Sequence, residues 1–382
     1  LGVFAPVAMV LLPGICPAGA ARELLLSGRA IDAETALRLG LASRVFCAEA
    51  FEADQVGLMT DETYGNATAL LEETKAHMAP FLRRQADAGH VSVITGFFGL
   101  SPEGKTATFG RGGSDYSAAV EAHALGLPTV EVWKDVGGFM SADPKIVPEA
   151  FPLSLLSYDE AAELSYFGAK VLHPRAVQPA RAGGASIVLK NIYRPEDTGT
   201  RIGPDTVDKS GDVKSVSYVR DLATLKVYAT GAGFKEGLLS QTATLLSGAG
   251  VDVYSAATSQ TCIAFLIESD AVSRAKKTLS RLAGGVADRI EVSPHASLIC
   301  FVGEGLGYAH GVAARVFKAV ADLGINVQLL SAGASMVAYH FTVDTKDLER
   351  AVQAVHREFF GDRKKPGGSH AAAASPASAP AP

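Results

Sequence analysis

The sequence has few residues of the kinds that mark secreted, metal-binding or nucleic-acid-binding proteins. Its 382 residues include one tryptophan and four cysteines, Cys16, Cys47, Cys262 and Cys300. No two cysteines are spaced as a zinc motif, and four are too few for a disulfide framework, so we expect a reducing, cytoplasmic setting. The net charge is only −5, and the 35 Lys and Arg are spread along the chain. This pattern argues against nucleic acid as the main partner.

Long apolar runs are also missing. No segment reaches the ~18 consecutive apolar residues that a membrane span requires. Residues 1–21 are apolar, but three prolines interrupt them and no basic region precedes them, so we expect no signal peptide. Residues 363–382 are rich in Ala, Pro and Ser without periodicity, which predicts a disordered tail. The rest, 48% hydrophobic overall, is enough for two to four domains.

Strand-like and helix-like segments alternate between residues 55 and 203. Residues 91–100, VSVITGFFGL, predict a strand buried on both faces, and a second strand leads through a glycine-rich loop into a helix near Ser114. A third strand, in PTVEVWKDVGGFM, is broken by Gly137 and Gly138. This alternation predicts an α/β domain with a mainly parallel sheet and helices on both faces.

The sharpest local motif is Gly-Arg-Gly-Gly-Ser-Asp at residues 110–115. Its glycines allow close backbone approach to a ligand, and the following helix directs N–H groups at an anion. Arg111 can grip a carboxylate or phosphate with its planar fork. The six residues are equally compatible with a tight strand–helix turn in which Ser114 or Asp115 only caps the helix.

An internal repeat occupies the C-terminal half. Residues 237–270 and 311–344 align without gaps at an offset of 74 residues. Each copy reads as strand, helix, strand, strand, helix, and the pattern does not decide whether a closing strand follows. The sequence supports two interpretations of this duplicated α+β module equally well: it forms an interface, or it binds a ligand.

Taken together, GLMTDETYGNATALLEET, VSVITGFFG, TFGRGGSDYSA, VWKDVGGFMSADPKIV, LSYDEAAELSYFGAKVLHPRAVQPA and VLKN resemble the aspartate kinases of the amino-acid-kinase family. The resemblance implies a three-layer α/β sandwich and transfer of the ATP γ-phosphoryl group to the side chain of L-aspartate, the first step of lysine, threonine and methionine biosynthesis. It implies ATP and Mg²⁺ as cofactors, with no dedicated metal ligands in the protein. It places the partial kinase domain at residues 55–203.

The resemblance also assigns roles to individual residues. Arg111 would hold the aspartate carboxylate, and Ser114 and Asp115 would complete that pocket. The residues expected to bind the nucleotide are Gly112, Gly113, Asp135, Met140, Lys145, Lys170 and Val171.

By the same resemblance, residues 204–362 form tandem ferredoxin-like ACT domains. Such domains pair between subunits, so we expect a homo-oligomer, and they bind an amino-acid end product, here lysine or threonine. The candidate effector residues are Asp252, Thr258, Asn326, Gln328 and Ser331.

Two features depart from that family. The chain has no Lys-Phe-Gly-Gly motif, with which the family's phosphate-binding strand opens. Residues 1–50 instead resemble a fragment of the enoyl-CoA hydratase (crotonase) family through LLLSGRAIDAETALRLGLASRV. The expectation is an aspartate kinase that the missing segment weakens or inactivates. The alternative is a catalytically dead protein that senses an amino acid.

Overall fold

The computed structural model describes residues 35, 38, 48–169, 171–204, 213–229, 237–282 and 287–361. Most of segment 1–50 and the predicted C-terminal tail lie outside these residues. The chain divides into two units, Leu1–Leu127 and Pro128–Pro382. Within the described ranges, no helix is both long and apolar enough to cross a membrane.

The first unit contains two small sheets and two helices around one core. Tyr116 and Phe109 are almost fully buried in this core, and their rings meet edge to face at 5.0 Å. The hydroxyl of Tyr116 accepts the backbone N–H of Ala69 at 3.1 Å, which satisfies a buried donor. The elements are β1 (Ala48–Phe51) parallel to β2 (Val91–Ile94), β3 (Phe98–Leu100) antiparallel to β4 (Thr106–Thr108), and helices α1 (Leu71–Asp87) and α2 (Gly113–Leu125).

The strand predicted at residues 91–100 is wrong in two respects. It is divided into β2 and β3, because Phe97 has a positive φ of 67° and turns the chain between them. It is also not buried on both faces, since Val91 and Val93 are 46% and 55% exposed. The predicted helix near Ser114 is present as α2 and begins at Gly113.

The second unit begins with a four-stranded mixed sheet. The adjacent strands in the order β5-β7-β8-β6 pair parallel, antiparallel and parallel, which agrees with the mainly parallel sheet that the alternation predicts. Helix α3 starts with a capping box, in which Ser157 and Glu160 each accept the other's backbone N–H. These elements are β5 (Thr129–Lys134), β6 (Leu155–Leu156), α3 (Tyr158–Tyr166), α4 (Val177–Gly183), β7 (Ser186–Asn191) and β8 (Thr200–Ile202).

The internal repeat forms one six-stranded antiparallel sheet, called here the repeat sheet, in the order β10-β11-β9-β12-β14-β13. Each copy contributes strand, helix, strand, strand and helix, as predicted. The first copy is β9 (Ser215–Tyr228), α5 (Leu238–Gly248), β10 (Val253–Thr258), β11 (Cys262–Glu268) and α6 (Val272–Leu279). The second copy is β12 (Arg289–Val302), α7 (Val312–Ala321), β13 (Leu329–Ser331), β14 (Ala338–Asp344) and α8 (Leu348–Phe360).

The closing strand of each copy comes from the other copy. The first half of β12 pairs with the second half of β9, and the first half of β9 pairs with the second half of β12. Both strands bend at a residue with positive φ, Asp221 in β9 and His295 in β12. These two positions differ by 295 − 221 = 74, the offset of the repeat. Each half therefore completes a ferredoxin-like fold.

The helix-starting and helix-ending glycines of the repeat also correspond. Gly237 and Gly311 precede α5 and α7 with φ of 79° and 81°. Gly250 and Gly324 follow the same helices with φ of 64° and 71°. A left-handed backbone at equivalent positions explains why both copies have glycine there.

Candidate functional site

The Gly-Arg-Gly-Gly-Ser-Asp loop enters α2 through left-handed backbone. Gly110 and Gly112 have φ of 77° and 71°, and Gly112 is the N-cap residue, so no side chain caps α2 from that position. Arg111 and Ser114 are exposed, and Asp115 is half-buried. The loop therefore presents a guanidinium, a hydroxyl and a carboxylate at the positive end of a 13-residue helix.

Two glycines hold this loop against its neighbours. A Cβ on Gly113 would lie 2.9 Å from the Cα of Phe97, and one on Gly110 would lie 2.9 Å from the carbonyl oxygen of Gly65. Both positions exclude a side chain, because real Cβ atoms do not approach that closely. The start of α2 thus packs directly on the segment that joins β2 to β3.

Ser117, which the sequence analysis did not single out, ties the loop to that segment. Its buried hydroxyl oxygen accepts the backbone N–H of Phe97 at 2.9 Å and donates to the carbonyl of Gly113 at 2.9 Å. The carbonyl of Phe97 in turn accepts the backbone N–H of Phe109 at 2.8 Å. Phe97 is therefore held in its positive-φ conformation from both sides, with its ring 51% exposed beside the loop.

A carboxylate lies on another loop of the same unit. Burial alone would raise the pKa of Asp61, but hydrogen bonds from Thr68 and Thr63 outweigh this effect and lower it. Their backbone N–H groups reach the same carboxylate oxygen at 2.9 and 3.1 Å. Asp61 therefore remains ionised and fixes the loop that contains Gly65.

In the second unit, Asp135 follows directly after β5 and is exposed. Strand β7 runs parallel to β5, and its last residue, Asn191, pairs with Lys134. The side chain of Asn191 accepts the backbone N–H of Tyr193 at 2.9 Å, and this tyrosine is 74% exposed. The carboxyl ends of adjacent parallel strands are where open α/β sheets bind ligands, so this edge is the candidate nucleotide surface.

The glycine pair after Asp135 contains one constrained position. A Cβ on Gly138 would lie 2.2 Å from the Thr200 hydroxyl oxygen, whereas one on Gly137 would meet nothing within 4 Å. Thr200 accepts the backbone N–H of Phe139 at 2.9 Å. Met140, half-buried, follows, and its carbonyl accepts the hydroxyl of Ser215 on β9 at 2.8 Å.

Lys145 is exposed on a turn that Asp143 organises. One carboxylate oxygen of Asp143 accepts the backbone N–H of Lys145 at 2.9 Å, as expected of a turn residue. The other accepts the hydroxyl of Tyr218 on β9 at 2.6 Å. The turn is thus bound to the repeat sheet.

The Phe-Gly-Ala-Lys-Val segment lies against the same strand. Gly168 has a φ of 105°, and a Cβ there would lie 1.9 Å from the carbonyl oxygen of Tyr218. Val171 is half-buried, and Lys170 lies outside the described residues. The structure therefore brings the Lys145 turn and Gly168 to one residue of β9, Tyr218, a relationship that no local sequence signal indicates.

The candidate effector residues lie at the sheet's β10 and β13 ends. Asp252, Thr258, Asn326 and Gln328 are exposed, and Ser331 is half-buried. Strands β10 and β13, although at opposite ends of the strand order, contact each other.

Three side chains near these strands have shifted pKa values. His340 on β14 lies 3.0 Å from the hydroxyl of Ser255 on β10, and burial lowers its pKa to about 4. Burial raises the pKa of Tyr254 to about 12, with Glu268 adding to the shift. Burial, then Asp252 and Glu163, raise the pKa of Tyr166.

Three other side chains of interest have structural roles. His173 accepts the backbone N–H of Arg175 at 3.3 Å and so caps the short helical turn that follows it. Cys300 is fully buried, and burial raises its thiol pKa well above the ordinary value, whereas Cys262 is half-buried. Within the described part of the chain, no group of three or more His, Cys, Asp or Glu could hold a metal ion.

Comparison with known proteins identifies the family. The amino acid kinase family model matches residues 31–191, and an ACT domain model matches residues 299–359. Residues 31–191 thus belong to the amino acid kinase family, and residues 299–359 form an ACT domain. The kinase match begins inside the segment that resembles a crotonase, and none of these matches supports that second resemblance.

Curated relatives of this chain are aspartokinases. Aspartokinase 1, chloroplastic, of Arabidopsis thaliana is 31% identical over 366 residues, which cover 88% of this chain and 63% of the relative. The bifunctional aspartokinase/homoserine dehydrogenase of Haemophilus influenzae is 34% identical over 293 residues, 74% of this chain and 36% of the relative. The chain thus spans less than two thirds of these relatives.

Solved aspartate kinases share the fold. Aspartokinase III of E. coli, in complex with aspartate and ADP, is 26% identical with a TM-score of 0.72, covering 92% of this chain and 79% of the other. The aspartate kinase of Clostridium acetobutylicum is 27% identical with a TM-score of 0.71, covering 81% and 70%. A second E. coli structure, with lysine and aspartate, has a TM-score of 0.67 at 27% identity, covering 82% and 69%.

Proposed function

We propose that this protein is an aspartate kinase, which transfers the γ-phosphoryl group of ATP to the side-chain carboxylate of L-aspartate. A carboxylate oxygen attacks the γ-phosphorus, the bond to the bridging oxygen of ADP breaks, and ADP leaves with that electron pair. The products are an aspartyl phosphate, which is a mixed anhydride, and ADP. Catalysis of this kind depends on positioning and on neutralising negative charge.

The loop at residues 110–115 carries the proposal. Arg111 and the uncapped start of α2 offer a guanidinium fork and backbone N–H groups, the donors that bind a carboxylate. Ser114 and Asp115 follow on the first turn of α2 and fit the polar groups of the rest of the amino acid. The E. coli relative bound to aspartate and ADP supports the same choice of ligands.

The second unit supplies the nucleotide residues in this proposal. Asp135 lies at the carboxyl end of β5, and Met140, Lys145 and Val171 lie on the segments that contact β9. Lys145 would neutralise the negative charge of the phosphates. Lys170, next to Val171 in the sequence, would do the same. Gly112 and Gly113, on the loop of the first unit, would contribute to nucleotide binding through their backbone.

Mg²⁺ fits this arrangement as an ion that arrives with the nucleotide. Mg²⁺ is typically held by one or two carboxylates together with substrate phosphates, and the exposed Asp135 is a carboxylate of that kind. Bound Mg²⁺ would neutralise charge on the phosphates. The described residues contain no larger acidic cluster that would hold the ion alone.

The repeat sheet is the proposed regulatory part. We propose that it binds lysine or threonine through Asp252, Thr258, Asn326, Gln328 and Ser331, and that ACT domains of two chains pair in a homo-oligomer. Lysine in the second E. coli structure supports this choice of effector. Cysteine usage supports a reducing compartment, the cytoplasm, although the Arabidopsis relative is chloroplastic.

Domain boundaries follow from the same proposal. The kinase part would extend to about residue 203 and the ACT region from 204 to 362, with the kinase part starting near residue 31, where the family match begins, rather than at 55. Residues 31–50 would then belong to the kinase.

Aspartate-dependent release of ADP from MgATP tests the function. Release that requires both substrates is expected. Lysine or threonine binding without any ADP release would instead support the alternative, a sensor without catalysis.

A further inference from the structure

Tyr218 occupies an unusual position in the repeat sheet. It lies in the first half of β9, opposite Ile299, where β9 serves as the closing strand of the second copy. Its side chain is half-buried and packs against the core of the second copy, while its hydroxyl contacts Asp143 in the segment of residues 139–150. The backbone of Tyr218 is therefore part of the repeat sheet, whereas its hydroxyl contacts the proposed kinase part.

The hydroxyl fixes the carboxylate that organises the Lys145 turn. It donates to one oxygen of Asp143 at 2.6 Å, and the other oxygen accepts the N–H of Lys145 at 2.9 Å. The carbonyl of Asp143 accepts the N–H groups of Ile146 and Val147 at 3.0 and 2.9 Å. Because four donors converge on Asp143, its orientation sets the path of the turn.

The backbone of Tyr218 fixes the second loop. A Cβ on Gly168 would lie only 1.9 Å from the carbonyl oxygen of Tyr218. Gly168 precedes Lys170 by two residues and Val171 by three. Any displacement of β9 at Tyr218 must therefore displace both loops together.

The ring of Tyr218 is held by Arg220 of the same strand, which is itself paired with the second copy of the repeat. The guanidinium of Arg220 lies over it at 5.1 Å and forms an ion pair with Glu349 of α8 at 2.8 Å. Burial, with the hydrogen bond to Asp143, raises the pKa of Tyr218. The hydroxyl thus remains a donor throughout the neutral range.

We propose that Tyr218 is a positioning residue for ATP, which ties the Lys145 turn and the loop at Gly168 to the repeat sheet. This inference rests on the proposed function, because Lys145 and the residues that follow Gly168 are among its nucleotide residues. Tyr218 acts through Asp143 and Gly168 and does not itself contact the substrates. Its loss should weaken ATP binding and leave aspartate binding unchanged.

Tyr218→Phe in the full chain removes only the hydroxyl. The matched control is Tyr228→Phe, since Tyr228 is a half-buried residue of the same strand with Arg289 over its ring at 4.1 Å. We expect Tyr218→Phe to raise the KM for ATP about five- to twentyfold, less than the roughly 10–150-fold of a directly lost hydrogen bond to a charged group, because Tyr218 acts through Asp143. The KM for aspartate should change less than about twofold, and Tyr228→Phe should change neither.

Calorimetric titration with ADP separates this inference from the proposed function. If the wild-type chain binds ADP but releases none from ATP, the kinase proposal fails, and weaker ADP binding by Tyr218→Phe alone would still support the positioning role. The positioning role would be overturned if Tyr218→Phe and Tyr228→Phe had the same affinity for ADP and the same KM values. It would also be overturned if Tyr218→Phe raised the KM values for ATP and aspartate equally, or if the wild-type chain did not bind ADP.

Discussion

Gly168 and Tyr218 lie so close that a Cβ on the glycine would be 1.9 Å from the carbonyl oxygen of the tyrosine. Gly168 also has a φ of 105°, which side chains rarely allow. We expect Gly168→Ala to destabilise the protein by more than the ~1–2 kcal/mol that a left-handed alanine costs, because either the loop or β9 must move.

Gly184→Ala is the control for this substitution. Gly184 has a φ of 69°, but nothing lies within 4 Å of its Cβ position, so only the conformational cost applies. Urea unfolding of both variants gives the comparison. A Gly168→Ala protein as stable as Gly184→Ala would show that the contact with Tyr218 does not constrain the loop.

The buried hydroxyl of Ser117 should matter for both stability and substrate binding. Ser117→Ala leaves the N–H of Phe97 without its acceptor, which costs about 1–3 kcal/mol for a buried donor. Because Phe97 packs on Gly113, we also expect a higher KM for aspartate. Unfolding and steady-state kinetics measure the two effects.

Ser165→Ala is the matched variant for Ser117→Ala. Its hydroxyl donates to the carbonyl of Ala161 within α3 at 2.6 Å, the same helical bond that Ser117 makes to Gly113. The hydroxyl of Ser117 in addition accepts the N–H of Phe97. Equal losses in the two variants would therefore assign no role to the bond with Phe97.

Acid should destabilise the second unit through His340. Burial lowers the pKa of this histidine from 6.5 to about 4, so below pH 6.5 the unfolded chain binds a proton that the folded chain does not. Stability due to this group is complete above pH 6.5 and falls as the pH drops to about 4, by up to about 3 kcal/mol at ~1.4 kcal/mol per pKa unit.

Urea unfolding between pH 4 and 7 measures this effect. His340→Gln should reduce the pH dependence in that range. His310→Gln, at an exposed histidine of the same unit, is the matched control variant. Burial also lowers the pKa of His356, so part of the dependence should remain. An unchanged slope in His340→Gln would contradict the prediction.

Periodicity and glycine spacing in the sequence predict much of the fold. The 74-residue offset predicts two equivalent βαββα copies, and the glycines at residues 110–113 predict the turn into α2, because both depend on local backbone requirements. The exchange of closing strands has no such signal. It depends on the pairing of β9 with β12, which are about sixty residues apart in the sequence.

The parts of the site that the sequence did not predict depend on tertiary contacts. Phe97 is aromatic and favours a strand, but its hydrogen bonds to the hydroxyl of Ser117 and from the N–H of Phe109 hold it at a positive φ. Tyr218 reads as an ordinary strand residue, and only the fold brings its hydroxyl to Asp143.

In the proposed function, aspartate accepts the phosphoryl group at a site built around Arg111. Arg111→Ala should lower kcat/KM for aspartate by ~10–100-fold, as expected when a carboxylate loses a charged donor. Arg84→Ala, at an exposed arginine of α1 in the same unit, should have no effect.

Trapping of the acyl phosphate with hydroxylamine tests this claim most directly, because an acyl phosphate yields a hydroxamate whereas ATP hydrolysis does not. We predict aspartyl hydroxamate formation that requires MgATP and aspartate, continues in Arg84→Ala and falls with Arg111→Ala. No hydroxamate from the wild-type protein, or undiminished formation by Arg111→Ala, would contradict the account.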